Sequence, residues 1–206
     1  MPVEVSPIQY SQIRVTAEVL ARAFDDSPIM VYLLPKARPR TIGLRAFFIG
    51  GLVDAYKYGE AWVATVDDAL VGGAVWLSPG AYPPGSARQF RQLLHLLTVA
   101  PVAPMSLVRS LKYLRAVEAV HPKVDHWYLA TLGVDPPHQG KGSGGALLDA
   151  VLGRADEAGI PTYLETDKER NLAYYARYRF TETDQLLPAA DGPPTWTMWR
   201  DPVPPS

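Results

Sequence analysis

The feature that most limits how this chain can fold is a glycine-rich segment between two hydrophobic runs. Four glycines fall within the six positions from Gly140 to Gly145. A β-rich run precedes them at 126–134 and a run with helical spacing follows at about 142–158, so the segment predicts a turn from a strand into a helix. Glycines leave backbone N–H groups unobstructed, and a helix N-terminus carries the positive end of its dipole. The segment therefore predicts a site for a pyrophosphate group.

The same segment has three alternative interpretations, which are two nucleotide-binding motifs and one purely structural role. Gly140, Gly142 and Gly145 match the dinucleotide-binding fingerprint, and Glu165 lies 20 residues beyond the last glycine, where a ribose-binding acid is expected. The chain left after this point is too short for a doubly wound sheet with its second half. A P-loop needs Ser or Thr directly after Gly-Lys, whereas Gly142 follows Lys141. A glycine turn that serves only strand–helix packing stays open.

The composition predicts one globular domain and excludes several classes of function. The 206 residues are 48% hydrophobic and 20% charged, so we expect a single domain over 1–206. A net charge of −1 makes a nucleic-acid partner unexpected. Without an apolar run of membrane-spanning length or a signal peptide at the N-terminus, we expect no membrane association and a cytoplasmic location. The chain has no cysteine and its four histidines show no metal spacing, so we expect no metal. A monomer and a homodimer both remain open.

Hydrophobic periodicity predicts a mixed α/β fold. Helical spacing occurs over 11–24, 40–58, 87–98, 105–120, 142–158 and 171–178. Short β-rich runs occur over 61–66, 69–77, 126–134, 161–165, 180–185 and 195–200. The first two β-rich runs are separated only by Asp67 and Asp68, which predicts an antiparallel hairpin. The stretch 25–28, Asp-Asp-Ser-Pro, predicts a turn after the first helix.

Two motifs in the second half resemble signatures of the GNAT family of N-acetyltransferases. Gln139, Gly142 and Gly144 fit the pattern Gln/Arg-x-x-Gly-x-Gly/Ala, which is similar to the acyl-CoA pyrophosphate loop of that family. Residues 171–180, Asn-Leu-Ala-Tyr-Tyr-Ala-Arg-Tyr-Arg-Phe, resemble its second signature, an asparagine, a tyrosine four positions later and then Gly-Phe. Arg179 stands where the family usually has the glycine, which leaves the geometry of that turn open.

Within the family, the sequence is most similar to the puromycin N-acetyltransferase group. The segments that carry this resemblance are 127–134, 138–142, 164–166, 170–172 and 195–196, with weaker similarity at 23–28, 62–64 and 74–79. The similarity is dense from residue 126 onward and sparse before it, where GNAT enzymes usually build the acceptor pocket. The resemblance therefore implies the cofactor more firmly than the acceptor.

This resemblance implies an acetyl-CoA-dependent N-acetyltransferase with the GNAT fold, a mixed and mostly antiparallel sheet splayed around acetyl-CoA and flanked by helices. The cofactor-binding core would cover about 126–200 and the acceptor-side elements about 10–125. The amine would attack the thioester directly, without a metal or an acyl-enzyme. The implied acceptor is a small-molecule amine, puromycin-like or another antibiotic. A protein lysine or N-terminus, a polyamine, and a catalytically silent CoA-binding module remain alternatives.

The resemblance also assigns candidate catalytic roles. Leu132, Gly133 and Val134 would run beside the pantetheine arm, with the Val134 N–H polarising the thioester carbonyl. Tyr175 is the candidate acid that protonates the leaving thiolate, with helix packing as its alternative role. Glu165 is the candidate base or amine ligand, with a plain structural carboxylate as the alternative.

The other candidate residues follow from the same motifs. The cofactor-binding candidates are Gln139, Gly140, Lys141, Gly142, Ser143, Gly144, Gly145 and Asn171. The acceptor-pocket candidates are Phe24, Asp26, Trp127 and Tyr174. Three of these have alternatives that the sequence leaves open, because Asn171 suits a helix N-cap, Asp26 a solvated loop and Trp127 a hydrophobic core.

Overall fold

The computed structural model describes residues 2–82, 104–188 and 192–204, which form a seven-stranded sheet with helices on both faces. The strands are β1 Glu4–Pro7, β2 Glu60–Val66, β3 Ala69–Leu77, β4 Trp127–Val134, β5 Thr162–Thr166, β6 Thr181–Leu186 and β7 Thr195–Arg200. The α-helices are α1 Ile13–Ala23, α2 Pro28–Leu33, α3 Ala37–Tyr58, α4 Pro104–Val120, α5 Ser143–Glu157 and α6 Arg170–Ala176. Short 3-10 helices cover Tyr10–Gln12 and Pro136–His138.

The sheet is mixed and mostly antiparallel, as predicted. Its strand order is β1-β2-β3-β4-β5-β7-β6, and β4 with β5 is the parallel pair among neighbours that otherwise run antiparallel in the described chain. The hairpin predicted around Asp67 and Asp68 is confirmed, since these residues join β2 to β3 with φ angles of 50° and 62°. Such a left-handed pair is the conformation that a tight two-residue hairpin turn requires.

The strands β4 and β5 separate part-way along their length. Their pairing covers only 127–129 against 162–164, although β4 continues to Val134 and β5 to Thr166. On its other edge β4 stays paired with β3, but that register skips Ala130, which is therefore an extra, bulged residue. A bulge bends its strand, and this one lies directly after the last β4–β5 pair. The sheet consequently opens into a V between the ends of the two strands.

Hydrophobic clusters lie on both faces of the sheet. On one face, α5 packs through Leu147, Leu148 and Val151, and on the other, α1 and α3 pack through residues such as Leu20 and Leu44. All five side chains are at most 1% exposed. Within the described part of the chain, none of the helices combines the length and the apolar character that crossing a bilayer requires.

Among the strands and α-helices of the described residues, two were not predicted from the sequence. One is the edge strand β1, and the other is α2, which replaces part of the turn predicted over 25–28. Ser27 is the N-cap of α2, its Oγ accepting the N–H of Met30 at 3.2 Å, and Pro28 occupies the first helical position. Serine followed by proline starts a helix as readily as it makes a turn. The predicted helix over 87–98 lies outside the described residues.

A buried ion pair joins the last strand to the glycine-loop helix. Arg200 donates from both terminal nitrogens to the two carboxylate oxygens of Asp156 at 2.7 Å, and its Nε donates to the Tyr178 carbonyl at 2.9 Å. The Arg200 side chain is 6% exposed. The guanidinium thus connects β7, α5 and the end of α6 through one group with fixed geometry.

The turn after α6 has a left-handed backbone conformation although glycine is absent. Arg179 has a φ angle of 66°, in the left-handed region that favours glycine, and the Phe180 N–H reaches back to the Tyr175 carbonyl at 3.3 Å. Arg179 thus holds a backbone conformation that costs free energy for any residue with a Cβ.

We therefore expect Arg179→Gly to be more stable than Arg179→Ala by about 1 kcal/mol in its free energy of unfolding. Both variants remove the charge and the long side chain, and only glycine relieves the strain. Urea denaturation of the two variants measures the difference. Equal stabilities would show that the left-handed conformation carries no cost here.

Candidate functional site

The V between β4 and β5 opens into a cleft of about 790 Å³. One wall is the free part of β4, and the floor continues to the N-terminal end of α5 and to α6. The candidates that line the cleft are Phe24, Leu132, Gly133, Val134, Gln139, Gly140, Gly142, Gly144, Gly145, Glu165, Asn171, Tyr174 and Tyr175. The fold thus brings together residues that lie more than a hundred positions apart.

The four glycines of the loop have two different roles. Gly140 and Gly142 have φ angles of 75° and 95°, and a Cβ at either position would meet open space. A Cβ at Gly144 would instead lie 2.6 Å from the Tyr174 hydroxyl, and one at Gly145 would collide with the hydroxyl of Tyr178. The first two glycines therefore shape an open concavity of backbone N–H groups, and the last two let α6 pack closely on α5.

Other loop contacts hold this concavity in place. The Gln139 amide donates from Nε2 to the Val134 carbonyl at 2.9 Å, and Lys141 Nζ donates to the Pro137 carbonyl at 2.9 Å. Ser143 opens α5 and is buried, and its Oγ has no hydrogen-bond partner among the described residues. Lys141 and Ser143 are not part of the cleft lining, and their roles as cofactor ligands stay predictions. The loop and the first turn of α5 together fit a pyrophosphate.

Tyr175 and Asn171 reach the cleft from α6. Tyr175 is 7% exposed, and burial, reinforced by the charge of Asp167, raises the pKa of its phenol. The hydroxyl consequently keeps its proton at neutral pH, as an acid must. The Asn171 amide donates from Nδ2 to Thr166 Oγ1 at 2.9 Å. Asn171 lies within α6, whose N-cap is Glu169, so the N-cap alternative is wrong.

Glu165 lies at the opposite end of the cleft, among tyrosines. Its side chain is 8% exposed. Tyr82, Tyr113 and Tyr128 line the same end. Burial, followed by the negative charge of Glu165, raises the pKa of Tyr82 to about 12, and the same two causes act on the pKa of Tyr113 and Tyr128 in the same order. A carboxylate among uncharged aromatic side chains suits a cationic guest.

A splayed sheet beside a glycine-rich helix start agrees with the comparison with known families. The model of the acetyltransferase (GNAT) family matches residues 52–180, more than half of the chain. The chain belongs to this family.

Individual GNAT relatives agree with this assignment. An uncharacterised N-acetyltransferase of Schizosaccharomyces pombe is 32% identical over 81 residues, 38% of this chain and 33% of that protein. The match thus spans about a third of the length of this curated relative. A structure from Corynebacterium glutamicum, described as a histone acetyltransferase and related acetyltransferase, has a TM-score of 0.69 and 25% identity, over 100% of this chain and 99% of that one.

A third comparison concerns a relative that holds a ligand. An N-acetyltransferase of Thermoplasma acidophilum, solved in complex with coenzyme A, has a TM-score of 0.57 over 98% of this chain and 99% of that one. Its sequence is 12% identical, so the likeness shows the shared GNAT fold.

The GNAT fold places Trp127 away from the cleft. Trp127 packs in the cluster on the α5 face of the sheet, with the Arg154 guanidinium carbon 5.3 Å from its ring centroid. Successive side chains of a strand alternate between faces, so Tyr128 enters the cleft instead. The sequence analysis predicted an aromatic side chain of β4 in the acceptor pocket but chose the wrong residue. Trp127 instead has its alternative role, as a residue of the hydrophobic core.

Asp26 and Tyr174 also differ from the acceptor role assigned to them. Asp26 pairs with Lys168 and, at 3.4 Å, with Arg170. Burial acts to raise the pKa of Asp26, but the hydrogen bond and charge of Lys168, helped by Arg170, hold it below its ordinary value. Asp26 thus joins α2 to the β5–α6 loop as a neutralised carboxylate. Tyr174 lies at the glycine loop, whereas Phe24 lies over Gly133.

Two functional features were missed in the sequence. Asp167 accepts hydrogen bonds from the Ser27 hydroxyl and, at 2.9 Å, from the Ile29 N–H, so it attaches α2 to the end of β5. Tyr113 and His121 lie eight residues apart along α4 and its C-terminal extension, on the face that meets Glu165. Tyr113, Val117 and His121 are spaced four residues apart, and this spacing in the sequence indicates one shared face of a helix. Among the described residues, no three His, Asp or Glu side chains are grouped to hold a metal ion.

We expect coenzyme A to stabilise the protein through the glycine loop, by about 2.7 kcal/mol at one hundred times its Kd. Gly142→Asp should abolish this rise in Tm, because the new carboxylate occupies and repels the pyrophosphate position. Thermal unfolding with and without coenzyme A measures the effect.

Gly159→Asp is a matched control for this prediction. Gly159 also has a positive φ angle, 66°, with open space around a Cβ, but it follows the other end of α5. This variant should keep the full response to coenzyme A. A carboxylate is more favourable at a helix N-terminus than at a C-terminus, so helix destabilisation cannot explain a loss confined to Gly142→Asp. A Gly142→Asp protein that still responds fully would exclude the loop as the pyrophosphate site.

Proposed function

We propose that this GNAT protein transfers the acetyl group of acetyl-CoA to the amine of a small molecule. The observation that carries the proposal is the separation of β4 from β5 directly beside the glycine loop. The free edge of β4 can hydrogen-bond the amides of a pantetheine arm while the loop binds the pyrophosphate. One continuous cleft thus offers surfaces for both the pantetheine arm and the pyrophosphate of coenzyme A.

The register of β4 supports an oxyanion role for Val134. The N–H of Asp135 donates to the Val71 carbonyl at 2.8 Å, toward β3. Successive backbone N–H groups of a strand alternate between its two edges, so the Val134 N–H faces the cleft. A donor in this position can stabilise the negative charge that develops on the thioester oxygen.

Glu165 and Tyr175 complete the proposed proton transfers. The amine nitrogen bonds to the thioester carbon, and the C–S bond then breaks. Glu165 accepts the proton that the amine must lose, and Tyr175 donates its phenolic proton to the departing thiolate of coenzyme A. Placing the two groups on β5 and α6 puts the base and the acid on different walls of the cleft.

The acceptor end favours a monoamine with an aromatic neighbour, such as a puromycin-like or other antibiotic amine. Tyr82, Tyr113 and Tyr128 offer aromatic surface and Glu165 offers one buried charge. A polyamine needs a second carboxylate, but Asp167, the other acidic residue in the described cleft lining, is engaged by α2. The sequence of 83–103 contains no Asp or Glu that could supply one.

We expect Tyr175→Phe to lower kcat by about 10² to 10⁴-fold and to leave the Tm rise with coenzyme A intact. The ring and its packing are retained, so the loss reports proton donation and not folding. Steady-state kinetics with saturating acetyl-CoA measures the change. An unchanged kcat, with chemistry shown to be rate-limiting by the absence of a pre-steady-state burst, would exclude Tyr175 as the acid.

A second test ranks the acceptors by kcat/KM, using puromycin, an aminoglycoside, spermidine and a lysine peptide. We expect the highest value for puromycin, because its amine lies beside an aromatic ring. A preference for the lysine peptide or spermidine would replace the proposed acceptor class. Binding of coenzyme A without turnover of any amine would favour a catalytically silent CoA-binding module.

A further inference from the structure

Two histidines lie behind Glu165, on the side away from the glycine loop. His121 Nδ1 is 3.6 Å from Glu165 Oε1, and the two side chains are 5% and 8% exposed. His121 Nε2 is 3.1 Å from His126 Nε2. His126 Nδ1 is 2.7 Å from the Val124 carbonyl. A continuous series of polar contacts therefore leads from the carboxylate through two imidazoles to the backbone.

The directions of these contacts locate the protons. The Val124 carbonyl can only accept, so His126 Nδ1 must carry a hydrogen. Burial lowers the pKa of His126, which favours the neutral ring, and its Nε2 is then an acceptor. His121 Nε2 must consequently donate to it. At its other nitrogen, His121 presents a lone pair to the Glu165 carboxylate oxygen at 3.6 Å, where neither atom has a hydrogen-bond partner among the described residues. A proton that Glu165 accepts would supply the missing hydrogen between them.

A second cavity, of about 310 Å³, lies on the far side of the imidazoles. His121 and His126 both line it, whereas Glu165 lines only the cleft. Tyr82 and Tyr128 border both cavities, and the Tyr82 and His121 rings are stacked with centroids 3.8 Å apart. The imidazole pair is thus the polar connection between a buried carboxylate and a separate opening.

We propose that Glu165, His121 and His126 form a proton-sharing unit that carries the proton lost by the acceptor amine out of the cleft into the second cavity. The inference rests on the proposed function. As the amine nitrogen bonds to the acetyl carbon, its proton passes to Glu165 and from there to His121 Nδ1. The imidazole pair releases one proton to water in the second cavity, so Glu165 returns to its ionised form for the next amine.

The surroundings suit this role. Aromatic rings on β4, β5 and β7 enclose the imidazoles, while the charged groups lie around the second cavity, where a released proton is stabilised or exchanged. The titratable and charged groups facing the unit are Tyr82, Tyr113, Glu118, Lys123, Asp125, Tyr128 and Tyr163. The amine's proton therefore has a route that does not pass the thioester.

Nitrogen NMR of the imidazoles tests proton sharing without requiring turnover. In the wild-type protein we expect His126 to carry its proton on Nδ1 and His121 to carry its proton on Nε2, with His121 Nδ1 an unprotonated nitrogen that has no hydrogen-bond donor among the described residues. Glu165→Gln places an amide N–H donor opposite this nitrogen, so the His121 Nδ1 signal should move to that of a hydrogen-bonded acceptor. Glu118→Gln, the same substitution at the rim of the second cavity, should leave it unchanged. A His121 Nδ1 signal that ignores Glu165→Gln overturns the proposal.

Kinetics tests the transfer itself. We expect His121→Asn and His126→Asn each to lower kcat by about tenfold or more, with the coenzyme A shift in Tm retained. The double variant should lower kcat no further than His121→Asn does alone, because the effects of two residues in the same relay do not add. Added imidazole should restore part of the lost rate. His121→Gln replaces His121→Asn if the latter fails to fold.

Two outcomes separate this inference from the proposed function. Strictly additive losses without rescue by imidazole, in a protein that turns over amines, would make the histidines structural and overturn the relay. A wild-type protein that acetylates no amine would remove the proposed function, and the NMR result would then decide the proton-sharing unit by itself.

Discussion

The separation of β4 from β5 is the constraint on which the rest of this structure depends. Three residue pairs hold these strands together before the bulge at Ala130 turns β4 away. A strand edge left unpaired inside a protein needs another hydrogen-bonding partner, and an extended amide-bearing ligand supplies one. The same divergence leaves Glu165, near the end of β5, on the lining of the cleft and sets the start of α5 at the mouth of the opening. The surfaces that we propose for the cofactor and the acceptor therefore originate from one irregularity in the sheet.

Polar contacts hold the two sides of this opening at a fixed distance. Arg22 on α1 pairs through two nitrogens with Asp135, just beyond β4, and this hydrogen-bonded pairing raises the pKa of Arg22 and lowers that of Asp135. On the other side, Asp167 attaches α2 to the end of β5. Hydrogen bonds to ionised groups are stronger and more directional than neutral ones. They brace a region where hydrophobic packing is interrupted by the cleft.

The acceptor end concentrates buried polar groups that ordinary folding would avoid. Glu165 Oε1 and His121 Nδ1 are fully buried and lack a hydrogen bond to any residue of the described ranges. Leaving such groups unsatisfied costs stability, and under the proposed function this cost accompanies a carboxylate that is free to accept a proton. The tyrosines around them contribute apolar surface without adding charge. Stability is thus reduced locally at the end of the cleft where the proposed base lies.

The sequence by itself determined the elements that depend on local rules. The β2–β3 hairpin, the glycine turn into α5 and the α6 motif were predicted because turn residues and hydrophobic spacing act within a few positions. The motif resemblance located Tyr175 and the loop glycines on the cleft, and Glu165 with them. Only the tertiary structure decided which side of β4 faces the opening, and hence that Tyr128 and not Trp127 enters it. Periodicity tells which residues share a face, but contacts between distant segments decide what that face meets. For the same reason the Asp26 ion pairs and the His121–Glu165 contact, which join separate elements, had no local signal strong enough to predict them.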